Sequence, residues 1–564
     1  MELMRKSEKG NEAAQRQLRE WMETDISFGT AGLRASMDPG FSRMNKVTVQ
    51  LVTQGVAEYL VQTRGQRVIV GYDHRHNSKE FAYIVRNTLA LKGLKVLCFD
   101  HVVPTPLVPF AVQKEKADLG IMITASHNPA TDNGYKVYGA NGCQIQSPID
   151  KEITLLFKAQ DYKLWDLSNS SLTLPMAGLY ITILNAYIES SKNRFERIAQ
   201  AINCGPSLSV AYTPMHGVGL ETVEHLLRSF GISTIFPVRS QKMPDPDFPT
   251  CKFPNPEEGL SAFKEAIAFA QEKRLKYIFA TDPDADRFNF AEYNNQLGWR
   301  IFTGNEIAAI FADFLWTHRQ LVYPDAKSFA MLNSCVSSKF LKSMGKIEGF
   351  KVVETLTGFK YLSNAAQSIE QEDPGCKVLM AYEEAIGFMV NSDVWDKDGI
   401  ASLLLAHLIL SHTVQNGMTM VQRLGQIYQK YGYFTQYNSY YLGKSVHFNR
   451  IFFTLRNKLA ALSTCANAKD LTGQCKLILS NERIIYSIKD YPGTNMITMY
   501  FDEEELSWIT FRTSGTEPKI KFYSEMKCNL VKHEVAEISL RLIVAQFCDI
   551  LLEPDANQLI PQSQ

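Results

Sequence analysis

Three aspartates, Asp282, Asp284 and Asp286, alternate in Thr281-Asp-Pro-Asp-Ala-Asp-Arg287, directly after an apolar run. In an extended loop, alternation sends all three carboxylates to one side. Carboxylates so close repel unless a hard cation neutralises them, and an oxygen-only ligand set suits Mg²⁺. Two other chemistries fit part of the pattern. One is an acidic surface turn. The other is the Asp-x-Asp of haloacid-dehalogenase-type phosphatases, in which the first Asp is the nucleophile. The third Asp and the adjacent Arg287 favour a metal loop.

Ser126 lies in Thr124-Ala-Ser-His-Asn-Pro129, without the Gly-x-Ser-x-Gly elbow of esterases. Taken alone, Ser-His-Asn makes a turn or a helix cap. With a metal loop elsewhere in the chain, a serine that carries phosphate becomes the better expectation. Its oxygens would supply the missing Mg²⁺ ligand, with Lys136 as a base or a positive counter-charge.

Further along, Arg512, Ser514, Gly515 and Thr516 combine a guanidinium, two hydroxyls and backbone N–H groups around a glycine. Such a set matches a phosphate dianion, although a polar hairpin turn has the same composition. Glu383 and Glu384, near Gly387, end an apolar run; paired carboxylates of this kind accept hydrogen bonds from sugar hydroxyls, and a solvated loop is the plainer alternative. Lys360, in Thr357-Gly358-Phe-Lys360, and Lys397, in Asp396-Lys-Asp-Gly399, are cationic candidates in a residue class that is usually solvated.

The elements that must position these residues follow one grammar. Arg67–Asp73, Lys95–Asp100 and Leu119–Ala125 read as strands, with helices over Ser78–Leu91 and after Pro106. Strand–helix–strand–helix–strand is the pattern of a parallel sheet covered by helices. It recurs with strands at Leu208–Thr213, Thr234–Val238 and Tyr277–Ala280 and helices over Glu221–Phe230 and Glu257–Arg274. A third copy has strands at Phe329–Leu332, Lys351–Glu354 and Lys377–Ala381 and helices over Ser338–Met344 and Lys360–Glu370. In open α/β sheets ligands bind outside the carboxyl ends of the strands, where three of the polar loops fall.

After about Tyr431 the pattern changes to aromatic strands near Tyr433–Tyr441, a helix near Asn449–Leu462, strands at Met496–Phe501, Trp508–Arg512 and Ile520–Tyr523, and a final helix over Val531–Cys548. The fold class expected is three tandem α/β domains with mixed, mainly parallel sheets plus a C-terminal α+β domain. The divisions fall at 1–203 (with an amphipathic helix over 8–23), 204–324, 325–430 and 431–564. At about 150 residues per domain, 564 residues give three to five domains.

Composition excludes other classes. The 59 basic and 59 acidic residues balance, which argues against a broad basic surface for nucleic acid or anionic membrane. The polar start Met-Glu-Leu-Met-Arg-Lys has no apolar run of a signal peptide. The longest apolar stretch, around Ala401–His412, is too short to cross a bilayer and contains His407. Ten cysteines without a Cys-x-x-Cys pair are expected to be reduced, mostly buried thiols of a cytoplasmic protein.

Thr-Ala-Ser-His-Asn-Pro, Asp-Pro-Asp-Ala-Asp-Arg, the Glu-Glu loop and Arg512-Thr-Ser-Gly-Thr-Glu-Pro-Lys519, in that order, resemble the α-D-phosphohexomutase superfamily. The resemblance extends from Phe28-Gly-Thr-Ala-Gly-Leu-Arg34 into the C-terminal domain. Asp132-Asn-Gly-Tyr-Lys-Val-Tyr138, Thr355-Leu-Thr-Gly-Phe-Lys360 and Tyr382-Glu-Glu-Ala-Ile-Gly-Phe388 resemble its phosphoglucomutase-2/phosphopentomutase branch. The resemblance implies four domains around a central cleft. It also implies a phosphorylated Ser126 and one Mg²⁺ held by Asp282, Asp284, Asp286 and a phosphate oxygen. A sugar bisphosphate would be the intermediate and activator.

On the same ground, Arg34, Lys136, Arg287 and Lys397 would supply positive charge at the transfer site. Thr357, Gly358, Lys360, Glu383 and Glu384 would contact the sugar, and Arg512, Ser514, Gly515 and Thr516 the non-reacting phosphate. Lys136 is the first candidate for general acid/base and His127 the second. Hexose-preferring members generally carry Ser where this chain has Ala385, so pentose 1-phosphates are the expected substrates and glucose 1-phosphate a slower one. A glucose 1,6-bisphosphate synthase and a Mg²⁺-dependent sugar phosphatase are the alternatives; Pro129 matches the mutases. An inactive sugar-phosphate sensor is disfavoured because no expected catalytic position is lost. The partners expected are small sugar phosphates, without nucleic acid or membrane, and the chain is expected to be a monomer.

Overall fold

The computed structural model describes every residue except 1, 30, 169–175, 204–207, 466–476, 480–482, 492, 515–517, 529–532 and 563–564. The chain forms two units, Met1–Cys335 with Val353–Met420, and Val336–Val352 with Val421–Gln564.

The first unit contains three sheets built on one plan. In the first, β1 (Leu33–Ser36), β2 (Arg67–Tyr72), β3 (Lys95–Cys98), β4 (Leu119–Ile123) and β5 (Asp132–Gly139) lie in the order β1-β5-β4-β2-β3. The second has β6 (Val210–Thr213), β7 (Ile235–Pro237), β8 (Tyr277–Thr281), β9 (Phe288–Asn294) and β10 (Gly298–Ile301) in the order β10-β9-β8-β6-β7. The third has β11 (Ser328–Ser334), β12 (Lys351–Thr355), β13 (Cys376–Glu383) and β14 (Gly387–Met389) in the order β12-β11-β13-β14.

Each sheet therefore pairs two strands in parallel, β2 with β4, β6 with β8 or β11 with β13, and then returns antiparallel, through β5, β9 or β14. The returns place each polar loop at the carboxyl end of a central strand. Burial explains the parallel part: β2 is buried beyond its first residue and β4 throughout, as strands covered on both faces must be.

Several elements differ in extent from the sequence pattern. The helix expected over 8–23 is two helices, Glu2–Glu8 and Glu12–Glu23, because the Asn11 side chain caps a new start by accepting the Ala14 N–H at 3.0 Å. The helix expected from Glu257 begins at Leu260, after a 3₁₀ turn, Pro256–Glu258, that Asn255 caps. Four helices outside the strand–helix spacing carry much of the packing: Lys46–Thr63, Leu179–Ala201, Gly304–Thr317 and Gly399–Gln415.

The second unit is α+β. Strands Tyr433–Gln436, Ser439–Leu442, Ser487–Asp490, Met496–Tyr500, Trp508–Thr513, Lys519–Cys528 and Ile560–Pro561 form one antiparallel sheet. Helices Ser445–Cys465 and His533–Phe547 cover it over a core that includes Phe452, Leu455, Ile509, Phe511, Leu540 and Val544.

Helix Gly399–Gln415 is buried almost all round, and among the described residues no helix is long and apolar enough to cross a membrane. It contains His407, 1 % exposed, with its ring 6.5 Å from that of Phe279. Burial lowers the His407 imidazole from 6.5 to about 4. Because the folded value lies below the unfolded one, the folded state is favoured with the ring neutral. That stability is present above pH 6.5 and is lost as pH falls through about 4. His407→Leu is expected to flatten unfolding stability between pH 7 and 4 by up to about 3 kcal/mol, measured by urea titration at each pH.

Candidate active site

The loop between β8 and β9 carries Asp282, Asp284 and Asp286. It is not extended, as alternation suggested, but turned: the Ala285 N–H donates to the Asp282 carbonyl at 2.9 Å, and Ala285 has φ 56°. The turn, rather than a pleat, brings the carboxylates together. Backbone from three directions holds it. The Val218 N–H donates to the Pro283 carbonyl at 2.8 Å, the Thr105 N–H to that of Asp284 at 2.8 Å, and the Gly399 N–H to that of Ala285 at 3.1 Å. The contact at Gly399 requires glycine, since a Cβ there would lie 2.3 Å from the Arg287 carbonyl oxygen. All three aspartates are fully buried, and one oxygen of each lies within 4.8 Å of the others.

Ser126 reaches this cluster from the loop after β4. Its N–H donates to Thr124 Oγ1 at 2.9 Å, and its φ of 55° is left-handed. In that conformation Ser126 Oγ donates to Asp282 Oδ2 at 2.8 Å and lies 3.2 Å from His127 Nδ1. Lys136 stands on β5 opposite Met122 of β4, and its Nζ lies 2.7 Å from both Asp284 Oδ2 and Asp286 Oδ2. Thr105 Oγ1 donates to Asp284 Oδ2 at 2.6 Å. Lys397 Nζ is 3.3 Å from Asp286 Oδ2 and 3.5 Å from Asp396 Oδ1.

The electrostatics follow from burial and neighbours. Burial, then the charges of Asp284 and Asp286, push the Asp282 carboxyl well above the usual carboxylate range. Burial also opposes ionisation of Asp286, but Lys136, Lys397 and Arg287 together hold it below that range. Burial lowers Lys397, yet Asp286, Asp396 and Glu383 raise it further and keep it cationic. His127 is held well below its ordinary value by burial and by Arg287 and Arg34, so its ring is neutral at pH 7.

The donor set fits a hard divalent cation. Asp284 Oδ1 and Asp286 Oδ1 are buried without a hydrogen-bond partner, while the other oxygen of each faces Lys136. Among the described residues, these three aspartates are the group of His, Cys, Asp or Glu side chains close enough to hold a metal.

The remaining expected residues divide by location. Arg34, on β1, donates to Asn128 Oδ1 at 3.3 Å, and Arg287 Nη1 to Glu257 Oε2 at 3.3 Å; each keeps a buried Nε without a partner. Glu383 accepts the Gly358 N–H at 2.6 Å, and Glu384 accepts the Ser334 hydroxyl at 3.0 Å. Thr357, the residue before Gly358, is half-buried. Lys360 is turned toward the first sheet's segments, 3.2 Å from the Gly29 carbonyl and 3.6 Å from Asp150. Arg512 and Ser514 belong to the second unit, at the end of strand Trp508–Thr513, and Gly515 and Thr516 lie outside the described residues.

Sequence reasoning passed over Thr105, Asn128, Asp396 and Arg75. Asp396 receives Tyr138 OH at 2.9 Å and Gln144 Nε2 at 2.8 Å, so it anchors the lysine loop to the first sheet's residues. Arg75 and Thr105 follow the carboxyl ends of β2 and β3, the signal that already singled out the other loops.

Comparisons with known proteins identify the family. Residues 25–163, 185–295 and 303–431 match, in order, the phosphoglucomutase/phosphomannomutase α/β/α domains I, II and III. A Schizosaccharomyces pombe protein named "Probable phosphoribomutase" is 40 % identical, over 90 % of this chain and 88 % of its own. The human phosphopentomutase is 36 % identical over 91 % and 87 % of the two chains, and the human glucose 1,6-bisphosphate synthase is 36 % identical over 97 % and 91 %. The crystal structure of pp63/parafusin, a phosphoglucomutase from Paramecium, in an open form, has the same fold with a TM-score of 0.67 at 18 % identity, covering 95 % of this chain and 97 % of its own. The repeated sheets, the aspartate loop and these matches together place the chain in the phosphoglucomutase/phosphomannomutase family.

Proposed function

We propose that the chain is an intramolecular phosphotransferase that interconverts pentose 1-phosphates and 5-phosphates, ribose and deoxyribose preferred, and glucose phosphates more slowly. Phospho-Ser126 and a sugar bisphosphate are its intermediates. The observation that carries this reading is Ser126 Oγ, buried and 2.8 Å from an aspartate of a three-carboxylate site. Relatives named phosphoribomutase and phosphopentomutase support the substrate class. The chain's Ala385, in place of the serine of hexose-preferring members, supports the pentose preference.

In the forward half-reaction the phosphoryl group leaves Ser126 Oγ, which retains the electron pair of the broken P–O bond. A sugar hydroxyl oxygen forms the new P–O bond and gives up its proton. After the bisphosphate turns over, the reverse step returns the other phosphoryl group to Ser126. Such transfer asks for positioning and charge neutralisation more than covalent chemistry. Asp282, Asp284, Asp286 and the phosphoserine are assigned one Mg²⁺ per chain, which when bound neutralises phosphoryl oxygens as charge shifts.

Lys136 has both aspartate partners at 2.7 Å, which suits it to be a counter-charge that orients the metal ligands. His127, neutral and 3.2 Å from Ser126 Oγ, is therefore the better candidate to carry the proton. Arg34, Arg287 and Lys397 supply positive charge around the transferring group. Thr357, Gly358, Lys360, Glu383 and Glu384 form the sugar side. Arg512, Ser514, Gly515 and Thr516 are assigned a phosphate dianion on residue type alone. We take 1–203, 204–324, 325–430 and 431–564 as the four domains of a cytoplasmic monomer, consistent with free thiols at the described cysteines and balanced charge.

Ser126→Ala is expected to abolish ribose 5-phosphate formation from ribose 1-phosphate, a loss of at least about 10⁴-fold in kcat. Turnover at the wild-type rate would exclude the mechanism, and phosphate release surviving in Ser126→Ala but not Asp282→Asn would indicate a phosphatase. For substrate preference, kcat/KM for ribose 1-phosphate is expected to exceed that for glucose 1-phosphate. A ratio at or below one refutes the preference, and glucose 1,6-bisphosphate made only from an external phosphoryl donor would mark a synthase. Mg²⁺ added to metal-free protein at a hundredfold excess over Kd is expected to stabilise it by about 2.7 kcal/mol, read as a rise in Tm. The rise should be lost in Asp284→Asn, which removes one ligand oxygen.

A further inference from the structure

We propose that Arg75 is the positioning residue that sets Ser126 for phosphoryl transfer, acting through the loop 124–132 without touching the sugar. The proposal rests on the mutase reading given above. Arg75 follows β2 in Tyr72-Asp-His-Arg75, and its side chain is completely buried. Its Nη2 donates to the carbonyls of Ser126 and Asn128, both at 2.6 Å. Its Nη1 donates to those of Pro129 at 2.8 Å and Asp132 at 3.2 Å. One guanidinium thus binds four carbonyl oxygens of the nucleophile loop.

The guanidinium is itself fixed from two other sides. Asp73 Oδ2 lies 3.4 Å from Nε, and Asp73 is held by the Arg75 N–H at 3.0 Å and the Ser78 hydroxyl at 2.6 Å. The ring of Phe248 covers it, 4.9 Å from the guanidinium carbon. Phe248 belongs to the segment after β7, so residues of the first and second sheets' sequence close on one cation.

Ser126 needs such a clamp. Its left-handed φ of 55° is disfavoured for any residue with a Cβ and persists only where the surroundings over-determine it. That conformation directs Oγ to Asp282. A planar fork with five donors can satisfy four carbonyls at once, whereas a lysine ammonium, with three donors on one atom, cannot. Loss of the fork should relax the loop, move Oγ from the metal ligands and lower kcat, with the sugar contacts and hence KM preserved.

Two full-chain variants, Arg75→Met and Arg75→Lys, test this with two readouts. Hydrogen exchange of peptides over 124–132 is measured in protein never exposed to sugar phosphates, so it is independent of the mutase reading. Exchange there is expected to be at least about tenfold faster in both variants, and unchanged in helix Gly399–Gln415. With Mg²⁺ and ribose 1-phosphate, kcat is expected to fall about 100-fold in Arg75→Met and less in Arg75→Lys. KM should stay within about threefold.

A folded Arg75→Met with wild-type loop exchange, or with wild-type phosphorylation of Ser126 from a sugar bisphosphate, overturns the proposal. So does a rise in KM at unchanged kcat. Should both variants fail to fold, Phe248→Leu removes only the aromatic cover and must shift exchange and kcat in the same direction; unchanged values there refute the clamp. A wild-type protein without mutase activity overturns the functional reading but leaves the exchange result to decide whether Arg75 holds the loop.

Discussion

Asp282, Asp284 and Asp286 place three buried carboxylates within 4.8 Å of one another, where repulsion between like charges is stronger than in open solvent. Compensation comes from elsewhere in the sequence: Lys136 from β5, Lys397 from the loop after β14, and Arg287 beside the aspartates. Backbone donors at Thr105, Val218 and Gly399 grip the same turn. The aspartate loop is thus the joint on which the three sheets of the first unit meet. Their packing and the composition of the site are one problem: none of the cations would be stable in its buried place without the carboxylates, nor the carboxylates without a cation.

The same constraint shapes the proposed nucleophile. Ser126 is aimed at Asp282 by a backbone conformation that its own side chain disfavours, and the surrounding carbonyls are tied down. A site built for phosphoryl transfer gains most from fixed charges and fixed distances, because the reacting atoms themselves need little covalent help. Two further carboxylates are also held by the protein: Gly358 N–H binds Glu383 and the Ser334 hydroxyl binds Glu384. A carboxylate has more acceptor sites than one such bond uses, so the Gly358 contact orients Glu383 without consuming it.

The repeat of strand order across the three sheets accounts for where the polar loops lie. A central strand that ends buried and returns antiparallel leaves its connection at the carboxyl end, where backbone groups are not used by the sheet. Thr124–Pro129, Asp282–Arg287 and the Glu383-Glu384 turn are the same connection made three times with different chemistry. The α+β unit has its own core and carries Arg512 and Ser514 at the end of a central strand.

Residue type and local pattern alone determined the three α/β units, the α+β end and the loops that bear chemistry, because strand burial and turn composition are written within a few residues. Ser126, the aspartate triplet, Lys136 and Lys397, which the structure gathers into one cluster, stood out for the same reason, whereas Lys360 lies against Gly29 and Asp150 and Arg512 belongs to the second unit. The turn at Ala285 was not legible, since alternation suggests an extended loop and only contacts from Val218, Thr105 and Gly399 bend it. Nor were the roles of Arg75, Thr105 and Asp396, or the partners of Lys136. Each depends on atoms far apart in the chain, and a buried charge has no meaning in sequence until its counter-charge is known. Tertiary structure decided those pairings, because only folding sets the distances on which Coulomb and hydrogen-bond energies depend.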